Sequence, residues 1–356
     1  MQKKFAIIEA ANSVADITYR FKIIGKSPVT IQEWYVKKFN PFKMEEVEHC
    51  GQRGFLIKLP FTKDGTFIQS PEALSLTTRT LEALSAYGVE MVLPPPVFAH
   101  PFPNTLPVAD GCVMRLFFAM PIIQKALHFL NKDIKTAEIL IIGGNMHMTL
   151  LLIDMVYPHV NHLTLLTDNP EDTLLLETAE RVFDDTGLNL CLTVKNKALL
   201  EGADVILNTY GGPDRYDFYY RRGAAYVEFS PNKQKYLELA TKRPELLLVD
   251  DIKIKYRNQV MSAAFFEMLF FAASAEYRRF YYFLGKNYSE ELSKFILQEL
   301  KVRNAQIRSF CHLGQVVKQT KYCQMQGIEQ IKAPLNFTSK PSVIKAEQDN
   351  RKERKN

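Results

Sequence analysis

Between residues 138 and 249 short apolar runs recur, separated by longer segments of mixed polarity, without an internal sequence repeat. The runs are 138–142 (EILII), 163–167 (LTLLT), 190–194 (LCLTV), 204–208 (DVILN), 225–229 (AYVEF) and 246–249 (LLLV). Most are almost continuously apolar and lack strict alternation, the pattern of parallel strands buried on both faces. The segments 146–157 and 172–186 suit helices. In the second, Leu174, Leu175, Ala179, Val182 and Phe183 recur at three-to-four spacing. Strand, helix and strand joined by short connections give a right-handed, doubly wound, mostly parallel α/β sheet.

This sheet is expected over 119–258. Ahead of it, 1–118 reads as a separate N-terminal α/β domain that would carry the substrate. It has strand-like 4–9, 17–24 and 54–59, helix-like 71–87, and a strand at 89–93 ending in Pro94-Pro95-Pro96. The stretch 94–107 holds six prolines, so it is expected to be an extended, semi-rigid connection. A helix over 115–130 leads into the sheet. After the sheet, 260–284 reads as one long buried helix. Ser289, followed by Glu290 and Glu291, caps a further helix through 310. Residues 259–335 are thus C-terminal helices packing back on the domains, and the polar, charged 336–356 is expected to be disordered.

The formal net charge of +6 comes from 45 basic and 39 acidic residues. Half of the excess lies in 340–356, where Lys340, Lys345, Arg351, Lys352, Arg354 and Lys355 face Glu347, Asp349 and Glu353. The remaining body is close to neutral, which argues against a nucleic-acid partner. Five cysteines without a C-x-x-C pair suggest reduced thiols and a cytoplasmic protein. The N-terminus reaches Glu9 too soon for a signal-peptide core. The apolar stretch 261–275 is shorter than the roughly 20 residues that span a bilayer, and it carries Glu267. No membrane partner is expected; a homodimer is compatible with the sequence.

The sharpest chemical signal is the turn at 141–148 (IIGGNMHM). A glycine-bearing turn from strand to helix lets backbone N–H groups and the helix N-terminus approach an anion such as a pyrophosphate. The second run ends in Thr167-Asp168, 25 residues past Gly143, where a carboxylate can accept from a ribose hydroxyl. Together these features resemble the dinucleotide-binding Rossmann family. On the pattern G-x-G-x-x-G, Gly143 fills the first position, Asn145 and Met148 stand at the other two, and Gly144 is an additional glycine. Asn145 would crowd a pyrophosphate, and Met148 would hold the helix further from the strand. The alternative is a plain tight turn, with Asp168, Asn169 and Pro170 opening the next helix as a cap.

The loop after the fourth run, 203–212, puts Asn208, Thr209, Tyr210 and Gly211 at the carboxyl end of a strand, where open α/β sheets bind ligands. It is similar to the corresponding loop of the shikimate dehydrogenase and glutamyl-tRNA reductase group, as is the two-domain layout. The resemblance implies a Rossmann-like sheet binding NAD or NADP through Gly143, Gly144, Asn145, Met146, His147, Asp168, Asn208, Thr209 and Gly211. Asp168 favours NAD by repelling a 2′-phosphate. That group's substrate-binding Lys and Asp have no matching position; Lys63 and Asp64 are adjacent and make a poor pair. His100, in the proline-rich connection, and Tyr210 are the candidate catalytic side chains.

Other clusters carry plainer readings. Residues 213–222 (PDRYDFYYRR) suit either a lid or a helix packing its tyrosines on the sheet, and 276–283 (EYRRFYYF) suits core packing. His159 and His162 are expected in solvent. His49-Cys50 and Cys311-His312 lack partners at metal-ligand spacing, so no metal site is expected. The leading function is an NAD(P)-dependent oxidoreductase acting on a small-molecule substrate in an interdomain cleft. The alternatives are an S-adenosylmethionine-dependent methyltransferase and a non-catalytic protein that has lost its cofactor.

Overall fold

The computed structural model describes residues 4–10, 23–39, 42–59, 79–80, 82–94, 106–194, 196–212, 219–231, 233–284 and 288–318. The expectations for 17–22, 71–78, most of the proline-rich stretch 94–107 with His100, and the tail lie outside the described residues.

Four strands form the first sheet: β1 (Phe5–Ala10), β2 (Lys43–His49), β3 (Gln52–Leu59) and β4 (Met91–Leu93), in the order β2-β3-β1-β4. β1 runs parallel to both β3 and β4, and β2 closes an antiparallel hairpin with β3. Phe5, Ile7 and Met91 join the main core, while Ala6, Ile8, Phe55, Ile57 and Val92 pack a smaller one on the opposite face. Ile24, expected in a strand, lies in a short 3-10 turn (Ile24–Lys26).

The central sheet contains β5 (Ile139–Ile142), β6 (Leu163–Leu166), β7 (Cys191–Thr193), β8 (Val205–Asn208), β9 (Ala225–Glu228) and β10 (Leu247–Val249). Its order is β10-β9-β8-β5-β6-β7, and every pairing is parallel. Counted from its own first strand this is 3-2-1-4-5-6, the order of the Rossmann fold, with the chain reversing direction across the sheet between β5 and β8. Ile139, Ile141, Leu163, Leu165, Val205 and Leu207 enter one core, and Leu140, Ile142, Leu166, Ile206, Tyr226 and Leu248 the other. Burial on both faces is why the runs are almost continuously apolar.

A third sheet follows: β11 (Asp251–Tyr256), β12 (Gln259–Ser262), β13 (Gln306–His312) and β14 (Gln315–Val316), antiparallel in the order β12-β11-β13-β14. It corrects the reading of 259–335 as purely helical. Arg257 and Asn258, both at positive φ, turn β11 into β12. Ser262 then accepts from Phe265 N–H and starts the helix Ala263–Ala272. A separate helix, Ala275–Leu284, follows. The helix that Ser289 caps stops at Val302, and β13 replaces its expected end. The expected helix 115–130 is likewise two helices, Cys112–Phe117 and Ala119–Leu130. No helix among the described residues is long and apolar enough to cross a membrane.

Candidate functional site

The carboxyl edge of the central sheet brings together the turn after β5 and the loop after β8. Gly143 N–H donates to Leu166 O at 2.8 Å, tying the turn to β6. Gly144 faces the other way. A Cβ built on it would stand 2.4 Å from the Cα of Tyr210 and 2.6 Å from Thr209 O, closer than a real Cβ comes to backbone. The second glycine is therefore required by a backbone-to-backbone approach across the switch point. Its N–H donates to Thr209 Oγ1 at 3.0 Å, and that hydroxyl donates in turn to Ile142 O at 3.0 Å. The Thr149 hydroxyl lies 2.9 Å from Thr209 Oγ1.

Asn145 occupies the position of a second motif glycine for a different reason. Its backbone is extended, and its Oδ1 accepts from Met148 N–H at 3.1 Å, so it caps the helix Met146–Val156. Three amides of the turn, those of Gly143, Gly144 and Met148, are thus satisfied within the protein. The first two amides of the helix itself, those of Met146 and His147, have no intrahelical acceptor, and they lie at the positive end of the helix dipole. The Nδ1 of His147 is buried without a hydrogen-bond partner among the described residues.

Asp168 lies exposed just beyond β6. It does not cap the next helix. Asp172 does, accepting from Leu174 N–H at 3.0 Å ahead of Thr173–Thr186. The Asp168 carboxylate makes no hydrogen bond or ion pair among the described residues, so the capping alternative does not hold for it.

The β8 loop is held by a polar cluster around Asn208, whose buried acidic member, Glu228, sequence reasoning missed. Glu228, the last residue of β9, is 0% exposed. Its two oxygens accept from Asn208 Nδ2 at 2.9 and 3.1 Å, and one also accepts from Ser230 N–H at 2.8 Å. Burial pushes the Glu228 carboxyl up to about 8, against the hydrogen bonds from Asn208 and Ser230 and the nearby charge of Arg115. Asn208 also holds the backbone of Tyr210. It donates to Tyr210 O at 3.1 Å and accepts from Tyr210 N–H at 3.1 Å.

Arg115 is itself fully buried, and it makes no ion pair within the described residues. Its guanidinium donates to Cys112 Sγ at 3.1 Å. Burial opposes its charge, but Cys112, Asp251, Asp110 and Glu267 around it raise its pKa above the ordinary value. Glu267, buried in the helix Ala263–Ala272, accepts from Gly111 N–H at 3.0 Å and Met114 N–H at 2.7 Å, and so caps the helix Cys112–Phe117 from outside. The available signals were a single acidic letter in each of two apolar runs, AYVEF and AFFEMLFF.

The remaining candidates separate. Residues 213–218 and His100 lie outside the described residues. In the described remainder of the aromatic cluster, Tyr220 is buried with its ring 5.8 Å from that of Tyr226, and Arg221 pairs with Asp204 at 2.7 Å. These contacts fit packing on the sheet. The Tyr210 ring lies over Gly212, where a Cβ would stand 2.6 Å from its hydroxyl. His159 and His162 are exposed.

No family model and no curated protein matches the chain. Among solved structures it is similar to D-mandelate dehydrogenase from Rhodotorula graminis, at 9% identity over 69% of this chain and 81% of that one, with a TM-score of 0.33. It is similar also to a shikimate dehydrogenase in complex with NADP+, at 11% identity over 84% and 95%, TM-score 0.32. A third is L-tryptophan dehydrogenase from Nostoc punctiforme, at 11% identity over 92% and 88%, TM-score 0.34. The fold assignment rests on the strand order, not on these similarities.

Proposed function

We propose that the chain is a nicotinamide-dinucleotide-dependent oxidoreductase acting on a small-molecule substrate. The observation that carries this reading is the 3-2-1-4-5-6 parallel sheet, with a glycine turn opening into a helix N-terminus at its switch point. The donors and acceptors at this edge fit such a group. The Met146 and His147 amides and the His147 Nδ1 suit a pyrophosphate, and Asp168, exposed and unpaired among the described residues, suits a ribose diol. Asn208, Thr209, Tyr210 and Gly211 would border the nicotinamide, which when bound supplies or accepts the hydride. Gly143 and Gly144 give the turn its shape. Tyr210 and His100 are the candidate proton carriers, and 1–118 would close the substrate side. Asp168 favours NAD over NADP through charge repulsion of a 2′-phosphate.

One observation favours a second reading, a Rossmann-like protein without a cofactor: the Gly144 amide is already taken by Thr209 and that of Met148 by Asn145. The methyltransferase alternative calls for an antiparallel hairpin closing the main sheet. β11 and β12 form a hairpin, but in a separate sheet. Thermal unfolding with NAD, NADP, NADH, NADPH and S-adenosylmethionine separates the three, because a ligand bound only by the native state raises the midpoint. The oxidoreductase reading expects a rise with the nicotinamide nucleotides. A rise with S-adenosylmethionine alone, or with nothing at millimolar concentration, would overturn it.

A further inference from the structure

Glu228 stands one hydrogen-bonded step from the loop that packs on the glycine turn. The Tyr210 N–H needs an acceptor, which fixes the Asn208 amide with Oδ1 toward it. Nδ2 is left to bond Tyr210 O and the Glu228 carboxyl. Both side chains are almost wholly buried. Without Glu228 the second donor hydrogen of Asn208 has no acceptor among the described residues, and a buried amide in that state gains by turning away. Ser230 N–H at 2.8 Å and the Tyr226 hydroxyl at 3.4 Å also donate to the carboxyl, so its position does not depend on Asn208 alone. Tyr210 and Thr209, in turn, are the backbone against which Gly144 is pressed.

We propose that Glu228 is a positioning residue: through Asn208 it fixes the backbone of Tyr210, and through that backbone the turn at 143–147. This builds on the dinucleotide reading by naming a residue, outside the glycine turn, that sets the shape of the phosphate and nicotinamide sides together. The interaction is a relay of contacts between strand ends, with no proton or electron transferred. Replacing the carboxyl with an amide retains an oxygen that can accept from Asn208 and Ser230. Truncation to alanine removes every acceptor.

Hydrogen exchange of the full-length protein without ligand tests the relay directly. In Glu228→Ala, exchange is expected to rise about tenfold or more over 143–149 and 205–212, with little change in the first sheet. Asn208→Ala, which cuts the relay in its middle, should give the same pattern and carries the test should Glu228→Ala not fold. Glu228→Gln should stay within about twofold of the parent. Unchanged exchange in these segments, a uniform rise across the chain, or a Glu228→Gln variant as loose as Glu228→Ala would overturn the positioning role. NADH titration of the same variants is the second arm. Weaker binding by Glu228→Ala and restored binding by Glu228→Gln support the relay, and equal binding by all three proteins contradicts it. If the parent binds no dinucleotide, the functional reading fails, while the exchange pattern still decides the role of Glu228.

Discussion

The backbone of Gly144 lies so close to that of Tyr210 that a single added carbon would stand 2.4 Å from the tyrosine Cα. Neither partner is a flexible side chain that could yield. Gly144→Ala is therefore expected to destabilise the protein by about 1–3 kcal/mol, the usual cost of overpacking. Gly202, which has open space at its Cβ and ordinary φ, is the control, since Gly202→Ala should be neutral or stabilising by about 0.4–1 kcal/mol. Urea unfolding midpoints of the two variants give the comparison.

Asp168 has no partner to lose within the described residues, so its substitution should leave stability nearly unchanged. Asp168→Ala is expected to weaken NADH by about tenfold, the worth of a charge-assisted hydrogen bond at an exposed site, and NADPH by less. Fluorescence titration of both nucleotides measures the difference. Equal loss of the two removes the ribose role.

The Glu228 carboxyl is raised from 4.5 to about 8 in the folded chain, with burial the main cause. The native state thus holds a proton that the unfolded chain releases between those values. Folding stability contributed by this group is full below about pH 4.5 and falls as pH rises to about 8. Glu228→Gln cannot ionise. Its melting temperature relative to the parent is expected to increase from pH 5 to pH 8 and then level off. A difference that stays flat across that range contradicts the burial of a titrating carboxyl.

Glu267 satisfies the Gly111 and Met114 amides of a helix it does not belong to. Glu267→Ala leaves both buried donors unpaired and is expected to cost about 2–5 kcal/mol by denaturant unfolding. The two amides bond different oxygens, so Glu267→Gln keeps an acceptor for one of them and should cost less than the alanine variant.

The central strands were legible because burial on both faces leaves an unbroken apolar signature. β11 carried a signature too. Ile252, Ile254 and Tyr256 alternate with Asp251, Lys253 and Lys255, and the structure buries the first set. The apolar weight of 260–284 obscured the boundary at Ser262, because the break between the helices Ala263–Ala272 and Ala275–Leu284 has no glycine or proline to mark it. At the site, Gly143, Gly144 and Asp168 could be read from local spacing. Glu228 and Glu267 could not, since their partners lie 20 and about 150 residues away and a lone acidic letter does not say whether it is buried.

The central claim is that the edge formed by the turn after β5 and the loop after β8 holds a nicotinamide dinucleotide. Calorimetric titration of the full-length protein with NADH and NADPH tests it most directly. The expected result is saturable one-site binding, with NADH the tighter ligand. Absence of heat and of saturation with both nucleotides at millimolar concentration would contradict it.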